Sequence, residues 1–338
     1  MRAREGDLIR TSDNVIFDVK GLVHPHDKII AFPRYIPSRE GQRGQSGNLY
    51  GKVYNLAERF QYLKRNAPQL IVADPVFGEN LCEVPVSDVV DHYEPAKKLA
   101  ALHKASHLAV LERKAVLLAE TLKKTADVPW SNVGISGSIL ARLFTLQSDI
   151  DPIVYGAKNC RKANTALHNL LDDRESHFKR YATNELRQLF EFRSKDTIMS
   201  FEDFEKVEGR KAFQGKFEGV DYFVRFVKDW AEVGEKYGDV CFENVGYAKI
   251  TGTVADDSEA LFTPCTYHVE DVRVVEGPPM KPIEEVVSFR GRFCEQAQTG
   301  EAIVAQGKIE HVTDTRSARE YYRLILGNKP QDYMVLSH

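Results

Sequence analysis

The sequence predicts an α+β protein whose helix-rich middle is flanked by two β-rich regions. Residues 6–37 and the chain from about residue 240 onward hold short runs of β-branched and aromatic residues separated by turn signals. Between them, over residues 95–125, leucine and alanine recur at three, four or seven, the period of an amphipathic helix. Ile153-Val154-Tyr155 then reads as a strand and is followed by more helical periodicity, so the middle should hold a mixed sheet with helices. Three domains are expected: a β-rich N-terminal domain over 1–94, a catalytic domain over 95–235, and a β-rich, barrel-like domain over 236–338 that could bind an acceptor.

In chain order, Leu8-Ile9-Arg10 and Val15-Ile16-Phe17-Asp18-Val19 flank Ser12-Asp13-Asn14, a hairpin turn signal. His24-Pro25-His26-Asp27 makes a second turn before the strand Lys28 to Phe32, and a metal role for its histidines is the lesser reading. Residues 38–48, rich in Gly, Arg and Ser, read as a flexible loop whose basic residues could order on a substrate. Leu99, Leu102, Leu108, Leu111, Ala115, Leu118 and Leu122 then mark one amphipathic helix or a broken pair. Further helices are expected at 158–171, 183–193 and 201–214. The first of these crowds Lys158, Arg161 and Lys162 into its opening turns, where cations oppose the helix dipole; they are solvated lysines and arginine or a phosphate-facing patch.

Gly219 to Val227 is aromatic and β-branched, hence strand. Beyond it, residues 242–254, 260–264, 267–275, 286–293 and 302–312 are short strands at barrel-like spacing, and 321–326 and 333–336 close the chain. Arg290 and Arg292 would share a strand face beside Phe289 and Phe293, either as surface arginines or as a stacking and phosphate surface for a single strand of nucleic acid.

The 338 residues are 43% hydrophobic and 28% charged with a net charge of −3, an ordinary soluble composition rather than a polycation. Any nucleic-acid surface must therefore be a local patch. No run of about 18 apolar residues and no apolar leader is present, so neither a membrane span nor a secretory signal is expected. Five cysteines are scattered singly, which argues against a disulfide framework and fits a cytoplasmic protein.

The chemistry concentrates in residues 133–156. Gly137-Ser138 sits at the expected N-terminus of a short helix, where free backbone N–H groups attract an anion and glycine admits a phosphate to the backbone. Ten residues separate Ser138 from Asp149, and Ile150 separates Asp149 from Asp151. On a strand the two aspartates point one way while Ile150 points into the core. Carboxylates side by side repel unless a cation lies between them, and oxygen ligands of this kind suit Mg²⁺ shared with substrate phosphates.

Gly-Ser followed at this spacing by Asp-x-Asp on a strand resembles the signature of the DNA polymerase β-type nucleotidyltransferase superfamily. The phrases Gly-Ser-Ile-Leu, Ser-Asp-Ile-Asp and Val-Tyr-Gly, with Gln214 to Val227 and Ser288 to Ala297, look like an archaeal group of predicted nucleotidyltransferases. The resemblance implies a metal-dependent enzyme that moves a nucleoside monophosphate from a nucleoside triphosphate such as ATP to an acceptor hydroxyl. By it, Asp149 and Asp151 hold two Mg²⁺ ions, or Mn²⁺ in their place, roughly 3.5–4 Å apart. It also implies a third carboxylate from a later strand, for which Asp221 is the candidate and Glu218 and Asp229 the alternatives. Gly137 and Ser138 would bind the triphosphate, and Arg225, on the face of Asp221 under strict alternation, would pair with that carboxylate or meet a phosphate. The acceptor could be an RNA, with Arg290 and Arg292 as contacts, a protein hydroxyl or a small molecule. One departure is Pro152, directly after Asp151, where the superfamily usually has an ordinary apolar residue; either its missing N–H faces away from a neighbour or pairing begins after it. A second reading from another class is a catalytically silent nucleotide- or RNA-binding protein that keeps the fold.

Overall fold

The computed structural model describes all residues except 46, 196–197, 279–281 and 338. It is α+β with β-rich flanks. Contacts divide the chain into two compact units: residues 1–72, 81–180 and 212–234 form the first, and 73–80, 181–211 and 235–338 the second. The N-terminal sheet joins the middle region because they share a core, in which Leu8, Ile16, Tyr35 and Tyr50 pack with Leu140, Ala141 and Leu143.

The first unit opens with β1 (Leu8–Thr11), β2 (Ile16–Val19), β3 (Lys28–Pro37), β4 (Arg43–Gln45) and β5 (Asn48–Lys52). After α1 (Leu56–Asn66) come β6 (Ile71–Asp74), β7 (Glu79–Pro85) and β8 (Val89–Tyr93). The sheet runs β4-β5-β3-β2-β1-β8, with β7 paired to β3 and β6 to β7. Asn14 turns the first hairpin at a φ of +64°, a conformation asparagine tolerates. The 38–48 stretch is largely structured: β4 and β5 pair through it, with Arg43 opposite Tyr50. Helix α1 starts where Asn55 Oδ1 accepts the Glu58 N–H at 2.7 Å. On β3, Ile16 pairs with Tyr35 and Phe17 with Pro33, so Arg34 is the extra residue of a bulge.

The helical stretch is the broken pair, α2 (Pro95–Lys104) and α3 (Val110–Ala126), the first entered by proline at a position with no N–H to lose. Then follow β9 (Val133–Ile135), the single-turn α4 (Gly137–Leu140), β10 (Pro152–Tyr155) and α5 (Ala157–Asp172). The unit ends with β11 (Phe178–Lys179), β12 (Gln214–Phe217), β13 (Val220–Phe223) and β14 (Arg225–Val227). Strand β10 pairs antiparallel with β9 and parallel with β14. Cys160, Ala163, Ala166, Leu167 and Leu171 form the buried stripe of α5. The expected single strand over 219–227 is two: the Val224 N–H bonds the Phe213 carbonyl at 2.7 Å, and there the chain passes from the β11–β12–β13 sheet to the β9–β10–β14 sheet.

The second unit holds α6 (Thr183–Arg193), α7 (Phe201–Glu208), β15 (Val240–Asp256), β16 (Cys265–Glu276), β17 (Ile283–Ser288), β18 (Ala302–Asp314), β19 (Arg319–Leu326) and β20 (Tyr333–Leu336). Pairing runs β15-β16-β17-β19-β18 and returns from β18 to β15, a ring that bears out the barrel-like spacing, with β20 beside β18. Helix α7 stops at Glu208 rather than 214, and residues 260–264 are a turn rather than a strand. Among the described residues no helix is long and apolar enough to cross a membrane.

Candidate functional site

The site is built around α4 and the start of β10, in the first unit. Pro152 is the first residue of β10, and the ladder with β14 begins one residue later, at Ile153 opposite Arg225. The missing N–H therefore falls where the strand starts. Upstream, the Ser136 N–H bonds the Asp151 carbonyl at 2.8 Å, tying α4 to the carboxylate segment. Gly137 has φ +60°, and a Cβ added there would lie 1.8 Å from Asp151 Oδ2. Glycine is thus required twice, by backbone conformation and by the carboxylate seated against it. The loop between α4 and β10 is clamped from the N-terminal sheet: Arg43 Nη1 donates to the Leu143 carbonyl at 2.5 Å and to Ser148 Oγ at 3.4 Å.

Asp149 and Asp151 are half-buried, on either side of the fully buried Ile150. Burial, then the neighbouring Asp149 charge, push the Asp151 carboxyl up to about 7, against the opposing pull of Lys52, Arg225 and Arg34. Among the described residues neither aspartate carboxylate has a hydrogen bond or ion pair. Ser138 is buried, and its Oγ has no hydrogen-bond partner among the described residues. A buried hydroxyl left unpaired costs about 1–3 kcal/mol.

Cations from the N-terminal sheet were not legible in the sequence. Arg34 donates to the Val53 carbonyl at 3.0 Å, and Lys52 lies 4.9 Å from the centre of the Tyr54 ring. Arg225, singled out from the sequence, reaches Glu5 at 2.8 Å, while Glu5 also meets Lys20 at 3.2 Å. Asp18 lies in the same field: burial pushes its carboxyl up, and Lys20, Arg225, Arg59 and Arg34 outweigh that and hold it below the usual carboxylate range.

The three candidates for a third carboxylate are engaged elsewhere. A parallel bridge from Ile150 to Tyr222 brings the backbone of Asp221 alongside Asp149, but the Asp221 carboxylate meets Lys216 at 2.9 Å. Glu218 Oε1 lies 3.6 Å from His177, and Asp229 caps a helical turn at Trp230 and contacts Arg4 at 3.4 Å. Among the described residues no three His, Cys, Asp or Glu side chains gather as a metal site would need. His24 is a structural brace: Nε2 donates to the Ala3 carbonyl at 2.9 Å, Nδ1 accepts the Ile30 N–H at 3.2 Å, and burial lowers its pKa to about 4.

Arg290 and Arg292 do not share a strand face. Strand β17 ends at Ser288 and residues 291–293 form a 3₁₀ turn, with Phe293 buried in the core and Phe289 exposed. Gly291 in the run Arg-Gly-Arg was the signal for that break.

The chain is 31% identical over 336 residues to the uncharacterized protein MJ1086 of Methanocaldococcus jannaschii, an alignment covering 97% of this chain and 96% of that protein. The chain belongs to the same family as MJ1086. No family model matches the chain, and no solved structure matches it. The alignment therefore spans nearly the full length of both proteins.

Proposed function

We propose that the protein is a metal-dependent nucleotidyltransferase that moves a nucleoside monophosphate from a nucleoside triphosphate to an acceptor hydroxyl, with an RNA, a protein hydroxyl and a small molecule as the candidate acceptors. The observation that carries this reading is the seating of the Asp151 carboxylate against Gly137, beside the unpartnered Ser138 hydroxyl. It brings a cation-seeking group and an anion-seeking group into one place.

The residues fit a divalent ion. Two carboxylates with no ion pair among the described residues, one of them pushed up by burial and by the other, are relieved by a cation between them. Asp149 and Asp151 would hold Mg²⁺, with Mn²⁺ as its substitute. When bound, such ions neutralise phosphate charge and lower the pKa of an acceptor hydroxyl. The chain's own residues then position the triphosphate: Ser138 Oγ would donate to a phosphate oxygen, and Gly137, lacking a Cβ, lets the Asp151 carboxylate sit beside it. Arg225 adds positive charge at the same face. The acceptor oxygen bonds to the α-phosphorus, the bond from that phosphorus to the β-phosphate oxygen breaks, and pyrophosphate leaves. Holding the reactants in line supplies most of the rate, so no nucleophilic side chain is required. A cytoplasmic setting, where nucleoside triphosphates are abundant, agrees with five unpaired cysteines.

Incubation with labelled nucleoside triphosphates, Mg²⁺ and total RNA tests the proposal. Wild type should incorporate label and the Asp149→Ala/Asp151→Ala variant should not; no incorporation by wild type, or equal incorporation by both, overturns it. One observation favours the silent reading, in which the fold binds nucleotide or RNA without transfer: Asp221 is paired with Lys216 rather than with the aspartates. Under that reading RNA binds without Mg²⁺, and the double variant binds it as tightly as wild type.

A further inference from the structure

Tyr54 is a large aromatic left 49% exposed just past the end of β5. Two cations attend it, Lys52 Nζ at 4.9 Å and the Arg34 guanidinium at 5.2 Å from the ring centre. Among the described residues neither cation has a carboxylate within ion-pair distance. Two positive groups held at one ring repel each other, and an anion between them would relieve that repulsion.

Their direction is fixed by the sheet. Lys52 stands directly opposite Tyr35 on β3, and opposed residues of an antiparallel pair share a face. Tyr35 packs on Leu140, Ala141 and Leu143, so Lys52 lies on the face turned towards the turn that carries Gly137 and Ser138. Arg34 is the bulged residue of β3, and a bulge re-aims its side chain, here to the same neighbourhood. Tyr35 and Tyr50 share one buried cluster with Leu140, Ala141 and Leu143, so the strands that lead to Lys52 and Tyr54 pack on the segment joining Gly137-Ser138 to the aspartate pair.

We propose that Tyr54, Lys52 and Arg34 form a clamp for a nucleoside triphosphate, with the base stacked on the Tyr54 ring and the phosphates between the two cations and the aspartate pair. The proposal rests on the nucleotidyltransferase reading and extends it to the base-binding subsite. A stacking platform without base-edge donors or acceptors accepts every base, since each has a π-face. The clamp is therefore tolerant of base identity, and the N-terminal sheet is part of the nucleotide site rather than a separate module.

Calorimetric titration of the full-length protein with Mg²⁺ and two probes, a non-hydrolysable nucleoside triphosphate and inorganic tripolyphosphate, tests this. Tyr54→Ala should weaken the nucleotide about 10-fold or more and leave tripolyphosphate unchanged, and Tyr54→Phe should restore nucleotide binding. Lys52→Met should weaken both probes by about 10-fold. The four bases should bind within a few-fold of one another. Nucleotide binding by Tyr54→Ala equal to wild type, or equal loss of both probes in Tyr54→Ala and Tyr54→Leu, overturns the clamp. If Tyr54→Ala binds as wild type while Asp149→Asn/Asp151→Asn does not bind, the clamp alone falls. If wild type binds neither probe, the nucleotidyltransferase reading falls with it.

Discussion

In the C-terminal unit the Lys211 ammonium is enclosed and donates to three acceptors, Glu208 Oε1 at 2.6 Å, the Arg292 carbonyl at 2.7 Å and Gln296 Oε1 at 2.9 Å. Asp332, also fully buried, accepts the N–H groups of Gly327, Asn328 and Lys329 at 2.7–3.0 Å and the Tyr247 hydroxyl. In the N-terminal unit Asp149, Asp151, Arg34 and Lys52 lie half-exposed, and no carboxylate among the described residues pairs with either cation. Both units bring charge into the protein. The C-terminal one saturates it, as structure requires. The N-terminal one leaves it open at these four residues, and Ser138 adds a buried hydroxyl with no hydrogen-bond partner among the described residues. Unsaturated charge persists where a ligand completes it.

That contrast can be broken in several places. The largest effect belongs to Asp149→Ala/Asp151→Ala, which should lower nucleotide transfer by at least about 10³-fold while leaving the melting temperature at or above that of wild type, since a mutual repulsion has been removed. Lys211→Met should act in the opposite sense. Removing the ammonium takes a donor from Glu208, Gln296 and the Arg292 carbonyl, leaves Glu208 to Arg193, and should cost roughly 2 kcal/mol in urea unfolding with little effect on nucleotide binding per folded molecule. Gly137→Ala, with its positive φ and a carboxylate oxygen in the way, should cost about 2 kcal/mol and abolish Mg²⁺ binding as the Asp151 carboxylate is displaced.

A smaller effect follows from pH. The Asp151 carboxyl is raised to about 7 in the folded protein from an ordinary value near 3.8, so between those values the folded state binds the extra proton. Stability from this group is present at pH 4 and is lost as pH rises through 7. Without metal, unfolding between pH 5 and 8 should show a decline of roughly 2–3 kcal/mol that Asp151→Asn removes. Mg²⁺ should offset the decline, and its affinity should rise over the same window, because the ion takes the deprotonated carboxylate. A stability that instead rises with pH in both proteins would place the Asp151 titration elsewhere. Smallest of all, Lys52→Met should change unfolding by less than about 0.5 kcal/mol, since no ion pair is lost.

The legible half of the site is local in sequence. Gly137, Ser138, Asp149 and Asp151 fall within one strand–turn–strand passage, so their spacing alone conveys the geometry. Arg34, Lys52 and Tyr54 come from a different sheet, and only the packing of Tyr35 and Tyr50 on Leu140 and Leu143 brings them near. No periodicity in residues 34–54 announces that contact, and a bulge at Arg34 hides its direction from strict alternation. The surroundings of Asp221 are hidden for the converse reason. Residues 219–227 have the composition of one strand, yet the chain changes sheets at Val224 and leaves Asp221 opposite Lys216 in a hairpin. The barrel was legible as a series of strands because its turns carry glycine, but the closure of β15 on β18 is a long-range pairing that no local signal encodes.

The central claim is that the open charge cluster of the N-terminal unit is a metal-dependent nucleotide site. Its most direct measurement is calorimetric binding of a non-hydrolysable nucleoside triphosphate with and without Mg²⁺ to wild type and to Asp149→Asn/Asp151→Asn. Saturable binding by wild type that requires Mg²⁺ and disappears in the variant is the predicted result. Absence of binding by wild type, or equal binding by the variant, contradicts the account.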